Sequence, residues 1–301
     1  MDTVIQWLLE GDVSIQYLTH RYLLESDADI LLRLQNRIEN EGCGAAYLAL
    51  RNENGHWGIW YYQPKWTSTH YTLLELKNIG LPATNAPCRE ITSRMLSECM
   101  LPDGGLNLAK SEHASDSCVD GMALSYATYF LAGDARLKRL VDHLLDSQRP
   151  DGGFTWNPNS NFGDPHSTVC VLEGFSEYLA CGASHRKNQI AAAQANAVSF
   201  LLENKLFFSG DQRYRMLAYP FRYRYDLLRA LEYLALERIP FCEPMRPALD
   251  WLKSKQSREG FWNLELEHRG AVHFPLETRG SPSRFITLKA LVILKHFQSI
   301  S

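Results

Sequence analysis

Asp116, Cys118 and His166 are the residues of this 301-residue chain whose types and spacing point most directly to chemistry. Asp116-Ser117-Cys118 opens the apolar run CVDGMALSYATYFLAG (118–133), and His166 opens a second, HSTVCVLEGFSEYLACG (166–182). Aligning such runs on the pairs Leu74-Glu75, Leu124-Ser125, Leu172-Glu173, Leu228-Arg229 and Leu288-Lys289 places Ser68, Cys118, His166, Arg222 and Pro282 seven positions back from the second residue of each pair. Cys118 and His166 therefore fall at equivalent places in successive repeats. Neighbouring helices lie about 8–10 Å apart, so a carboxylate, a thiolate and an imidazole can reach one point. That set suits a zinc ion with its fourth position open. Each also has an ordinary structural reading: Asp116 as a helix N-cap, Cys118 as a small buried hydrophobe, His166 as a loop hydrogen-bonding group.

Lys65, Lys110, Arg222, Arg224, Arg279 and Arg284 all fall in segments that enter helical runs. Cations gathered at helix N-termini suit phosphate or diphosphate. Aromatic residues crowd two of the same segments: Trp57, Trp60, Tyr61, Tyr62, Trp66 and Tyr71 in one, Tyr219, Phe221, Tyr223 and Tyr225 in the other. Those at helix entrances, Trp66 and Tyr223 among them, are candidates to line an apolar substrate cavity. Asp164, Glu173 and Glu277, with His166 or His273, are the candidates for paired acid–base work on a sugar. No spacing selects a pair, and no residue is singled out as catalytic.

These residues must be carried by a repeated element. A Gly-aromatic turn recurs as NENGHW (52–57), PDGGL (102–106), PDGGF (150–154) and REGFW (258–262), each followed by an irregular stretch and a helical run. Second helices such as RLKRLVDHLLDSQ (136–148) and MRPALDWLKSKQ (245–256) lie between. Apolar residues recur at three- and four-residue steps and almost nothing alternates as a strand would. The unit is a helix pair of about 45–60 residues, repeated. The expected fold is all-α, inner helices starting near 69, 118, 166, 223 and 283.

Gln256, Gly260 and Trp262 resemble the QW motif of squalene and oxidosqualene cyclases, and Gln148 to Phe154 is similar to the form in protein prenyltransferase β-subunits. The resemblance covers about residues 45–298. It implies one α/α toroid spanning 1–301, residues 1–44 supplying the remaining wall. It also implies zinc at Asp116, Cys118 and His166, activating an acceptor thiol toward an isoprenoid diphosphate. Lys110 and His113 stand where that family places basic diphosphate contacts, and Val119 stands where it has a tyrosine. The Asp-x-Asp-Asp acid of class II terpene cyclases is missing: Ser26-Asp27-Ala28-Asp29 is incomplete.

A net charge of -3 gives no reason to expect nucleic-acid binding. No apolar run approaches a membrane-spanning length, the first residues lack the pattern of a secretory signal, and seven scattered cysteines suit a cytoplasmic chain with reduced thiols. The expectation is a zinc-dependent, prenyltransferase-like enzyme for an isoprenoid or other anionic apolar small molecule. The alternatives are a carbohydrate-active toroid and a non-catalytic binding toroid. A partner subunit is neither indicated nor excluded.

Overall fold

The computed structural model describes residues 3–110 and 115–298. Among the described residues thirteen α-helices carry the chain, and extended backbone pairs only in isolated bridges. Six helices form an inner ring: α2 (Val13–Tyr22), α5 (Thr69–Asn78), α7 (Ser117–Phe130), α9 (Pro165–Ala180), α11 (Leu227–Leu236) and α13 (Arg284–Gln298). From α5 onward each packs on the next, and α13 packs on α2, while α4 (Gly42–Ala49) bridges α2 and α5. The ring is closed: an α/α toroid.

Burial separates the two layers. In α7 every residue but Tyr129 is buried, and α5 buries the unbroken run Thr69–Leu76, as helices covered on all sides must. In α8 (Arg136–Asp146) only Leu137, Leu140, Val141 and Leu144 are buried, one stripe facing inward. The other outer helices are α4, α6 (Ala86–Cys99), α10 (Lys187–Glu203), α12 (Arg246–Ser254) and α1 (Thr3–Leu9); α3 (Ala28–Arg37) packs on α2. α7 and α9 approach most closely, because Gly121 and Gly174 face one another. A Cβ on Gly121 would lie 2.6 Å from the Cys170 carbonyl carbon, and one on Gly174 2.5 Å from the Gly121 oxygen.

The Gly-aromatic turns lock outer helix to inner helix. The N–H groups of Trp57, Phe154 and Trp262 donate to the hydroxyls of Thr69, Thr168 and Thr287 at 3.1, 3.0 and 3.0 Å, and that of Leu106 to Asp120 at 3.0 Å. The indoles reach back to the preceding outer helix, Trp57 to the Tyr47 carbonyl at 2.6 Å and Trp262 to that of Leu252 at 2.8 Å. Gln148 donates to Gly152 and to Ala193 of the next outer helix, both at 2.8 Å. The recurring Gln, Gly and aromatic thus each have a mechanical task.

The inner helices begin close to where the sequence places them except α11, which starts at Leu227 rather than near 223, and the register differs in both α11 and α13. Asp116, Asp164 and Asp226 cap α7, α9 and α11. Cys118 and His166 are each the second residue after a cap and are equivalent. Their counterpart in α11 is Leu228; Arg222 lies in the loop before the cap. Ser283 accepts the Ile286 N–H at 3.0 Å, so the counterpart in α13 is Phe285 rather than Pro282.

Candidate functional site

Three irregular segments cover the N-terminal ends of the inner ring: 50–68, 204–226 and 255–283. Between them lie two cavities that share Glu267, His268 and Gly270 in their walls. One is a cleft of about 810 Å³, cationic in that Arg213, Arg224, Arg269 and Arg279 outnumber Asp211, Asp226 and Glu267 in its wall, with His166, Tyr214 and His268 beside them and Arg213 paired to Asp211. The other is an aromatic pocket of about 150 Å³ bordered by Tyr47, Trp66, Tyr71, Tyr219, Arg222 and Phe274.

Trp66 is fixed by its indole N–H, which donates to the Arg269 carbonyl at 2.7 Å, and by the Tyr71 ring at 4.9 Å. The Arg222 guanidinium lies over the Trp66 ring at 4.4 Å, that of Arg224 over Tyr223 at 4.9 Å, and the Lys65 ammonium over Tyr223 at 4.4 Å. These cation–π contacts are the main polarisable partners of three closely set cations. Arg222 also occupies the left-handed region at φ 57°, a conformation that costs free energy and persists where its surroundings impose it.

The cations perturb one another. Burial, then Arg222, Arg224, His166 and Arg213, push His268 down to about 4. Burial likewise lowers His166 to about 4, with Arg224, Arg229 and Arg213 adding to it against the pull of Asp164. Burial and Arg224 lower Lys65, and burial lowers Arg222. Burial raises Asp226 to about 7, although it accepts the Arg229 N–H at 2.8 Å. Four buried polar atoms here have no hydrogen-bond partner: Arg222 Nη1, Arg224 Nε, His268 Nε2 and Asp226 Oδ2. A buried unsatisfied polar group costs about 1–3 kcal/mol, so such a cluster is characteristic of a ligand site rather than of a core.

Of the residues singled out from sequence, Arg222, Arg224, Arg279, Trp66, Tyr223 and His166 border or adjoin these cavities. Two do not join them. Lys110 sits over Trp60 at 3.6 Å. Arg284 turns outward, its Nε donating to the Trp7 carbonyl at 3.1 Å and its guanidinium lying over the Trp7 ring; it ties α13 to α1 instead of binding substrate. His113 lies outside the described residues. Arg213, Tyr214, Asp226 and His268 were not singled out: Arg213, Tyr214 and His268 stand in no repeated position, and Asp226, though a helix cap like Asp116 and Asp164, lies inside the helical run that the core pairs start near 223. The one available signal was the length of the structureless segment 263–283, because loops of that length are commonly functional.

Asp116, Cys118 and His166 sit at neighbouring helix starts but turn to different partners. The Cys118 sulfur lies 3.6 Å from that of Cys170 and 3.9 Å from the His166 carbonyl oxygen. His166 Nδ1 accepts the Tyr225 N–H at 2.8 Å, and its ring faces the cationic cleft. Asp116 caps its own helix through the Cys118 N–H at 2.8 Å and borders a separate cavity with Tyr62, Val119 and Trp156. Cys170 and burial push the Cys118 thiol well above its ordinary value, and Arg229 Nη2, 3.4 Å from the Cys170 sulfur, puts a fixed positive charge beside both thiols. Among the described residues no group of three or more His, Cys, Asp and Glu side chains is placed to hold a metal ion. In this arrangement the three side chains face different partners instead of one point.

Of the sugar-directed groups, Asp164 caps α9 and Glu173 pairs with Arg229 at 2.6 Å, while Glu277, which accepts from Ser283 and from the Arg284 N–H, lines the aromatic pocket together with His273.

No protein-family description matches the chain, and no curated protein matches it. Solved structures similar to it include the type II terpene cyclase MstE from Scytonema, at 15% identity over 85% of this chain and 95% of that one, TM-score 0.34. A variant of that cyclase in complex with geranylgeranyl dihydroxybenzoate aligns at 16% identity over 84% and 93%, TM-score 0.33. At those scores the likeness is loose, and the closed helical ring rests on the chain's own packing.

Proposed function

We propose that the chain binds an anionic ligand bearing a small apolar group. The anion sits among Arg213, Arg224, His166 and His268, and the apolar group enters the Trp66–Tyr219 pocket beside Arg222. A phosphate or diphosphate monoester of a short isoprenoid or aromatic alcohol joins the two halves. The observation that carries the reading is the cluster of unpartnered buried nitrogens on Arg222, Arg224 and His268, at the boundary between a cationic cleft and an aromatic pocket. A cavity of about 150 Å³ holds a benzene-sized group, so a five- or six-carbon unit matches it and a geranylgeranyl chain does not.

The same groups support chemistry at the ester. Fixed guanidinium groups stabilise negative charge that grows on a departing diphosphate. Asp226, raised by burial to about 7, lies next to that charge, and the Tyr71 ring borders the place where positive charge would be left on the apolar fragment. No zinc-dependent step belongs to this reading.

Calorimetric titration with dimethylallyl diphosphate, inorganic diphosphate and the free alcohol tests it. The ester should bind more tightly than either part, and less tightly as salt rises. Hydrogen bonds to charged groups contribute about 1.5–3 kcal/mol each, so Arg222→Ala/Arg224→Ala should weaken binding by at least tenfold. Failure of the native protein to bind the ester, or equal affinity in the double variant, would refute the proposal.

A further inference from the structure

The aromatic pocket is not the only space inside the ring. A second chamber of about 180 Å³ lies deeper along the axis, walled by all six inner helices. Tyr219 and Arg222 border both spaces. On α5, Tyr71 and Glu75 face the upper pocket, while Lys77 and Asn78, further along the helix, face the lower chamber. The segment before α11 thus descends into the lumen and divides it.

Tyr219 is held in that dividing position from two sides. Its ring stacks on Phe285 of α13, centroids 4.2 Å apart and planes at 14°. Its hydroxyl donates to Glu75 Oε1 of α5 at 2.7 Å. The ring therefore spans from one wall of the toroid to another, and it is buried. Below it, Arg229 pairs with Glu173 at 2.6 Å, Lys289 with Glu232 at 2.7 Å and Lys77 with Glu177 at 3.0 Å. Those charges satisfy one another and leave Phe285, Leu288 and Val292 as an apolar stripe down α13.

We infer that Tyr219 is a specificity-determining residue that sets the maximum length of the apolar group the site accepts. The inference rests on the amphiphile reading above and adds to it a size limit with a single side chain as its cause. An apolar chain entering past Trp66 ends against the Tyr219 ring. Without the ring, the upper pocket and the lower chamber become continuous, and a longer chain can follow the α13 stripe without disturbing any of the three ion pairs.

The test is calorimetric affinity for n-alkyl phosphates from ethyl to decyl, each below its micelle concentration. Burial of a methylene contributes about 0.8 kcal/mol, or about fourfold in affinity. In the native protein the affinity should climb by about that factor per carbon to five or six carbons and then stop climbing. In Tyr219→Ala the climb should continue for at least three further carbons, so that decyl phosphate binds more than tenfold tighter than hexyl phosphate. Tyr219→Phe keeps the ring and loses the hydroxyl, and should keep the native limit. Tyr219→Ala strands the Glu75 carboxyl, so Glu75→Gln/Tyr219→Ala supplies the same reading should the single variant fail to fold. An unchanged limit in a folded Ala variant that still loses affinity on Arg224→Ala overturns the role of Tyr219 and leaves the amphiphile reading standing. A native affinity that climbs without limit to decyl also overturns it. Failure of every alkyl phosphate to bind the native protein removes both.

Discussion

His166 and His268 are neutral at physiological pH because burial and the surrounding guanidinium groups lower both to about 4. An anion in the cleft counters those cations and favours the imidazolium forms, so binding is coupled to proton uptake. The sign follows: affinity for an anion of fixed charge rises as pH falls from 7 toward 5. Hexanesulfonate, whose charge does not change in this range, should bind more tightly at pH 5 than at pH 7. His166 and Asp226, the latter raised to about 7 by burial, face the same cleft and act in the same direction, so His268→Gln, neutral at both, should reduce that dependence without abolishing it; calorimetry at the two pH values checks it. An affinity that falls on acidification would place the anion elsewhere. How much of this site was legible in sequence differs residue by residue. Arg222, Arg224 and Trp66 stand in helix-entry segments rich in cations and aromatics, and composition marks them. His268 stands in a segment whose path over the ring depends on tertiary packing alone. The Asp116, Cys118 and His166 placement was legible to the level of helix and turn, but the direction of each side chain was set by neighbours, Cys170 and Tyr225, which no register argument includes.

At the scale of the element, the recurring contact is the backbone N–H of the turn aromatic donating to a side chain of the inner helix. Thr168→Val keeps shape and removes the acceptor, leaving the Phe154 N–H buried and unpaired. Loss of about 1–3 kcal/mol of unfolding free energy is expected, and Thr168→Ser should recover most of it; urea denaturation followed by circular dichroism reads both. A cost below about 0.5 kcal/mol would mean that the turn is held by the Gly and Gln contacts alone. The turn itself was visible in the sequence because glycine, glutamine and the aromatic recur at fixed spacing. The threonine acceptors were not, since Asp120 takes the place of threonine in one repeat. The misplaced start of α11 has a related cause. Helices buried on all sides show no polar face, so apolar periodicity leaves their phase open. The Asp226 cap, a short-range signal, fixes the start that the core pairs misplaced.

Closure is the property of the whole molecule. In an open solenoid each repeat contacts only its neighbours, and damage at one end stays local. Here α13 packs on α2, Arg284 donates to the Trp7 carbonyl at 3.1 Å, and Trp7 meets Phe261 with ring centroids 4.4 Å apart, so the two ends of the chain form one more joint of the ring. Trp7→Ala weakens that joint without touching either cavity. Truncating a buried tryptophan costs about 3–5 kcal/mol, and Trp7, only partly buried, should cost about 2 kcal/mol. A closed ring shares that cost. Native-state hydrogen exchange should show lower protection in α7 and α9, across the ring from the joint, by an amount comparable to that in α13. In an open array protection would fall in α1, α2 and α13 and stay unchanged in α7 and α9, and that pattern would overturn the view of the toroid as one cooperative unit. The distinction bears on the site, because the cleft and the aromatic pocket draw their walls from α5, α9 and the segments before α11 and α13. If the ring unfolds as a unit, Trp7→Ala should also lower the urea midpoint at which the site loses its near-ultraviolet aromatic signal, in step with the loss of helix.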